Sequence, residues 1–275
     1  MKRILFVVAL LSIQHAVLAG GWPQEEGSGY YKLGIQIVKG DQYYTETMKI
    51  PVATLEDNTL FFYGEYGLTN NITVFTYLPF YRSLKLSETE NTSQTPGENT
   101  GISDGDIGVR IGLWQGSGAA LAGVLALGVP LGDDKVESGL RTGYGVWSEY
   151  AGLEYGYSLY PIPGWISASM GVNIRGGSYG NEIRYGLDAG YRPLDDVIVM
   201  LKVAGIQPLR DGDNSFQPGE LTGLYPNNQR YLSYGLEVGY ALTESFTLSV
   251  GAASGTLVQN ALSALAYTAG LSVSH

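Results

Sequence analysis

Nine charged residues stand singly between apolar or small neighbours: Lys32, Glu65, Arg110, Glu154, Arg175, Arg184, Asp188, Lys202 and Glu237. A charge held away from bulk water is costly unless an opposite charge meets it. These residues therefore read as a ladder of ion pairs, with Arg175 facing Glu182 and with Arg184, Asp188 and Lys202 forming a cluster. Such a ladder either fills the interior of the fold or also lines a path for a solute. Gln36 and Asn173 share the pattern. Paired acids at Asp104 and Asp106, or at Asp133 and Asp134, could activate a water, although neighbouring carboxylates in loops are more often simply solvated.

Other chemistries are poorly supplied. The chain has no cysteine, which removes thiolate metal sites, disulfides and cysteine nucleophiles. A serine hydrolase needs a general base beside its nucleophile, usually histidine. The two histidines are His15, in an apolar leader, and His275, the last residue. The run Asp211-Gly212-Asp213-Asn214-Ser215, with Glu220 beyond it, resembles the start of a calcium loop, but Phe216 occupies the position where the sharp turn requires glycine. No cofactor and no metal site are expected. The sequons at Asn71 and Asn91 carry little meaning in the setting derived below.

The elements that position the ladder follow from composition and period. Only 15% of the 275 residues are charged, while 39 are glycine and 21 are tyrosine. A soluble domain is about 25% charged, so the chain is charge-poor, yet it has no long apolar run. The 26 acids against 16 bases argue against a nucleic-acid partner, which demands clustered lysine and arginine. Residues 1–19 read as a secretory signal: Lys2 and Arg3, an apolar stretch of about ten residues that is too short to span a bilayer, then small residues ending at Ala19. The remaining 20–275 reads as one domain with a short periplasmic N-terminal tail, expected to be disordered rather than folded inward.

Two-residue alternation then recurs in blocks of about ten. Ile183, Tyr185, Leu187, Ala189 and Tyr191 share one face, and Glu182, Arg184, Gly186, Asp188 and Gly190 the other, because successive side chains of a strand point oppositely. The same dyad marks 105–113, 150–160 and 231–242. Tight connections at 69–71, 115–117, 161–164, 194–196 and 243–244 alternate with longer polar stretches at 39–57, 87–101, 132–144 and 210–228, plus shorter ones near 178–181 and 255–260. About twelve strands result, roughly 28–38, 58–68, 72–85, 102–114, 118–130, 145–160, 165–177, 181–193, 197–208, 229–241, 245–254 and 261–274. Short turns at one end and long loops at the other describe an all-β, transmembrane, antiparallel up-and-down barrel with both termini on the periplasmic side.

A secreted soluble sandwich or propeller is the alternative. Its core would have to form from an inward face made of glycine and sparse charge. Aromatics near strand ends (Trp147, Tyr160, Trp165, Tyr191, Tyr231 and Tyr240) instead suit the girdles of a membrane barrel. The last strand keeps its alternation to the terminus, resembling the signal read by the barrel-assembly machinery, with His275 where phenylalanine is usual. Twelve strands lie between barrels filled by side chains and barrels with open channels.

The segments Tyr66-Gly67-Leu68-Thr69-Asn70-Asn71-Ile72-Thr73, Gly101 to Arg110 and Gly128-Val129-Pro130-Leu131-Gly132 resemble the outer-membrane proteins associated with meta-pathway phenol degradation. The resemblance runs diffusely over 28–274. It implies a transporter-like barrel of the Gram-negative outer membrane that passes small hydrophobic or aromatic solutes. It maps a recurrent strand start onto Asp104, Asp106 and Arg110, without a catalytic residue. The expected partners are membrane lipids, the assembly machinery and a small-molecule solute, with the barrel monomeric. A closed structural or adhesive barrel stays open as an alternative, with a lipid-modifying enzyme behind it.

Overall fold

The computed structural model describes residues 20–45, 47–87, 95–212 and 222–275, so the expected signal at 1–19 lies outside the described residues. The chain forms an antiparallel barrel of β1 (Gly29–Tyr44), β2 (Lys49–Thr69), β3 (Ile72–Leu86), β4 (Gly97–Gly101), β5 (Gly105–Gly116), β6 (Ala119–Val129) and β7 (Ser148–Ser158). It continues through β8 (Gly164–Arg175), β9 (Glu182–Leu194), β10 (Val197–Pro208), β11 (Arg230–Ala241), β12 (Phe246–Gln259) and β13 (Ala261–Ser274). Both β4 and β5 pair with β3, so together they make one stave broken at 102–104. The barrel therefore has twelve staves, and β1 closes it by pairing with β2 on one side and β13 on the other.

Alternation decides which face meets lipid. Leu153, Leu187 and Val250 are 52%, 54% and 57% exposed, whereas Glu65 and Arg110 are 1% exposed. Leaving a large aliphatic side chain in water costs roughly 1.5–3 kcal/mol relative to burying it, so a continuous belt of them is stable only against lipid. Trp147, Tyr160, Tyr191 and Tyr240 join this outer surface. Trp165 and Tyr231 depart from the expected girdle. Trp165 covers Gly190 and Tyr231 lines an interior cavity, because each falls on the inward phase of its strand.

Three stretches expected to be loops contain ladder, the end of 87–101 being β4, paired with β3. Lys39 pairs with Glu56 and Tyr43 with Ile50, so β1 and β2 run on to a turn near 45–48. A strand of 21 residues, the length of β2, is about 70 Å long at ~3.3 Å per residue, twice what a bilayer crossing needs. Above the membrane the outward face meets water, and the rule inverts: Lys39 and Glu56 form an exposed ion pair of 2.5 Å while Val38 and Leu55 are buried. A reading keyed to apolar-outward alternation mistakes such strand for loop. At 255–260 the expected loop is likewise strand, with Leu257 and Asn260 taking positive φ at the turn.

The protruding hairpins enclose an apolar core at the outer mouth. Tyr43, Val52, Leu55, Leu84 and Leu86 pack there with Leu140, Leu224 and Tyr225, which come from the connections β6–β7 and β10–β11.

Candidate functional site

The lumen is organised from the periplasmic end upward. Arg110 on β5 sits between Glu65 of β2 and Glu154 of β7, with Nη1 to Oε1 at 3.0 Å and Nε to Oε2 at 2.7 Å. Tyr63 donates its hydroxyl to Glu65, and the guanidinium lies 5.9 Å from the centre of the Phe75 ring. The period of two turns all three charged side chains inward, and strand register and closure bring them together.

The N-terminal segment covers this triad from below. Gly21 abuts the backbone carbonyls of Ala120 and Glu154, and the Trp22 indole lies against Gly156, where even a Cβ would come within 2.1 Å of the ring. Gln24 donates from its backbone N–H to Thr73 Oγ1 at 2.7 Å and from Nε2 to Glu65 Oε2 at 2.9 Å. The segment expected as a free tail is therefore placed inside the barrel. Its polar groups find partners there and its tryptophan fills the space that an inward glycine leaves.

Higher up, Glu237 of β11 bridges Lys32 of β1 at 2.5 Å and Lys202 of β10 at 2.7 Å. Lys202 stands directly across from Asp188 in the β9–β10 register, yet its ammonium bonds to the glutamate. Arg184 likewise pairs with Glu182 at 2.7 Å. The expected cluster of Arg184, Asp188 and Lys202 is not formed as an ion-paired unit, because each glutamate accepts two cations: Glu237 takes Lys202 from the neighbouring strand, and Glu182 takes Arg184 two residues along its own strand. Glu182 also meets Arg175 at 3.4 Å and Asn173 Nδ2 at 3.0 Å. Arg175 donates to the Gly180 carbonyl and lies 5.4 Å from the ring centres of both Tyr144 and Tyr179.

The family-like strand start has a definite architecture. Asp104, at the break between β4 and β5, accepts the backbone N–H of Gly132 at 2.9 Å and of Tyr144 at 2.5 Å, pinning both ends of the β6–β7 connection. Gly143 passes so close that a Cβ would lie 2.1 Å from the Asp104 carboxylate. Burial lifts the Asp104 carboxyl above its ordinary range, against the pull of the two N–H donors. Asp106 lies across from Tyr77 on β3 and accepts from Thr76 Oγ1 through its backbone carbonyl at 2.9 Å.

One cluster was not singled out from the sequence. Arg82 binds Asp57 twice, at 3.0 and 2.5 Å, and also donates to the Tyr225 hydroxyl. That hydroxyl in turn donates to the Thr142 carbonyl at 2.5 Å and lies 3.0 Å from Ser103 Oγ. The cluster ties two outer connections to the wall. Asp57 and Tyr225 fell in stretches read as loops, so the isolated Arg82 in an otherwise apolar alternation was the available signal. At the loop considered for calcium, residues 213–221 are outside the described set, and Asp211 is engaged by Asn181, whose N–H and Nδ2 donate at 2.7 and 2.6 Å.

Between the floor and the outer cluster lies a cavity of about 120 Å³. Phe61, Tyr77, Tyr150 and Tyr231 contribute to its wall, together with Lys32, Asp188, Lys202 and Glu237. A smaller cavity of about 50 Å³ lies above, bounded by Asp57, Arg82, Ser103, Tyr144 and Tyr225. The arrangement offers aromatic faces and paired charges to a small guest.

No curated protein matches the sequence. Among solved structures, the COG4313 outer membrane channel from Pseudomonas putida F1 is similar with a TM-score of 0.74 and 14% identity, over 95% of this chain and 100% of that one. The translocator domain of the autotransporter NalP from Neisseria meningitidis is similar with a TM-score of 0.52 and 9% identity, over 91% and 89%. At such identities the likeness is one of fold. The sequence profile described as "Putative MetA-pathway of phenol degradation" matches residues 33–268, from near the start of β1 to the middle of β13, and the chain belongs to that family.

Proposed function

We propose that this barrel lets small, uncharged solutes of aromatic character cross the Gram-negative outer membrane passively, after export by a cleaved leader. One observation carries the reading: the interior cavity has aromatic walls, while the lumen's bases Lys32, Arg82, Arg110, Arg175, Arg184 and Lys202 are each already paired with a carboxylate. An anion would have to break such a pair to gain a partner, which is costly where both charges are buried. A neutral ring does not. The volume is of the right order, since an apolar cavity of about 150 Å³ holds a benzene. The family's connection with phenol degradation and the fold shared with an outer membrane channel agree with this reading.

Uptake should be measured in intact Gram-negative cells, because phospholipid vesicles alone are leaky to small aromatics. Cells producing the barrel, shown to be folded by heat-modifiable migration on a gel, should accumulate labelled phenol faster than barrel-free cells. Equal rates would overturn the reading. A closed structural barrel is favoured by the N-terminal segment seated across the lumen, and equal rates would support it.

A further inference from the structure

Three side chains, Gln36, Tyr77 and Tyr231, line both cavities and so stand at the boundary between them. All three are buried. The outer cavity presents mostly polar surface, from groups that include Asp57, Arg82 and Ser103, whereas the inner one presents mostly apolar surface, from rings and small residues, with the charges of Lys32, Arg184, Asp188, Lys202 and Glu237 set among them. A guest passing from one to the other exchanges a polar environment for an aromatic one at this boundary.

The two phenol rings at the boundary are held. Tyr77 leans on Phe61 with ring centres 5.6 Å apart and planes tilted by 40°, and Tyr231 packs against Ile206 and Val258. Their hydroxyls are not spent on other described residues. Fixed ring faces favour a flat guest through offset or edge-to-face contact. An available phenolic hydroxyl, which both donates and accepts, favours a guest with a hydrogen-bonding substituent.

From this geometry we infer that Gln36, Tyr77 and Tyr231 form a neck that determines specificity, selecting a flat ring with one hydrogen-bonding substituent over a saturated ring of equal polarity. The inference rests on the passage reading above. It adds a site of discrimination and a rule for it: the rings exclude by shape, and the hydroxyls retain by polarity.

The test compares initial uptake of labelled phenol, cyclohexanol and toluene by cells producing the wild-type barrel, the double variant Tyr77→Phe with Tyr231→Phe, or Tyr77→Ala with Tyr231→Ala. The phenylalanine pair conserves ring and volume, so it remains informative even where the alanine pair fails to fold, and heat-modifiable migration monitors both. Losing the hydroxyls should lower phenol uptake about fivefold, the equivalent of one net hydrogen bond, and leave toluene unchanged. Removing the rings should raise cyclohexanol uptake to the phenol rate. Folded variants that transport with the wild-type ratios of all three solutes would overturn the neck while leaving passage intact. A wild-type barrel that accelerates none of the three would overturn the passage reading and the neck with it.

Discussion

Arg110 illustrates how a charge survives in the barrel wall. Its side chain is 2% exposed, and its partners Glu65 and Glu154 are 0% and 6% exposed. Removing one member of such a group leaves uncompensated buried charge, at a cost of about 3–5 kcal/mol, whereas replacing the whole group with neutral residues of similar size can be nearly harmless. Arg110→Ala should therefore lower the unfolding free energy of the lipid-embedded barrel by that amount, read as a lower urea midpoint by tryptophan fluorescence. Arg110→Met combined with Glu65→Gln and Glu154→Gln should recover most of it. A wild-type midpoint for Arg110→Ala alone would show that the carboxylates are satisfied without the guanidinium. The need of the isolated charges for partners was legible from their apolar neighbours, although Asp188 joins none of the ion pairs described above. Their partners were only partly so, because a glutamate that reaches diagonally, such as Glu237 toward Lys32 and Lys202, follows strand tilt and side-chain length rather than spacing along one strand.

At the scale of elements, two segments enter a space that the staves alone would leave open. The N-terminal segment is seated by Trp22 on Gly156 and by Gln24 on Glu65 and Thr73. Gly156→Leu puts a branched side chain where the indole now lies, so the segment should be displaced and single-channel conductance in planar bilayers should rise severalfold. Unchanged conductance would mean that the segment does not restrict ion flow. At the other mouth, Asp104 holds the β6–β7 connection through the N–H groups of Gly132 and Tyr144. Asp104→Ala leaves those donors without their acceptor, at about 1–3 kcal/mol, and hydrogen exchange at both amides should accelerate at least tenfold. Exchange at wild-type rates would show that Tyr225 and Arg82 suffice to hold the connection. The seat of the tail was not visible beforehand, since a ten-residue tail with Trp22 and Pro23 has no periodicity to give away its destination.

The molecule as a whole is a cylinder with lipid outside and paired charge inside, extended above the membrane by a hairpin wall that encloses an apolar core. Its charge balance should set ion preference wherever ions leak through. Glu237→Gln strips Lys32 and Lys202 of their shared counter-ion, so the reversal potential in a salt gradient should move toward anions. Arg184→Ala leaves Glu182 with Arg175 alone, and the shift should run toward cations. Shifts of the same sign would place the conducting path away from these pairs.

What the order of residues determined was the barrel itself: the number of staves, their up-and-down sequence, the short-turn end and the face that meets lipid. Each follows from a local period of two, which any ten residues display by themselves. What only the closed structure decided was the content of the cylinder. The seat of Trp22, the reach of Glu237 to Lys32 and Lys202, the Arg82–Asp57–Tyr225 cluster and the boundary at Gln36, Tyr77 and Tyr231 all join residues far apart in the chain. Such meetings depend on tilt, register and closure, and these arise only when all twelve staves have paired.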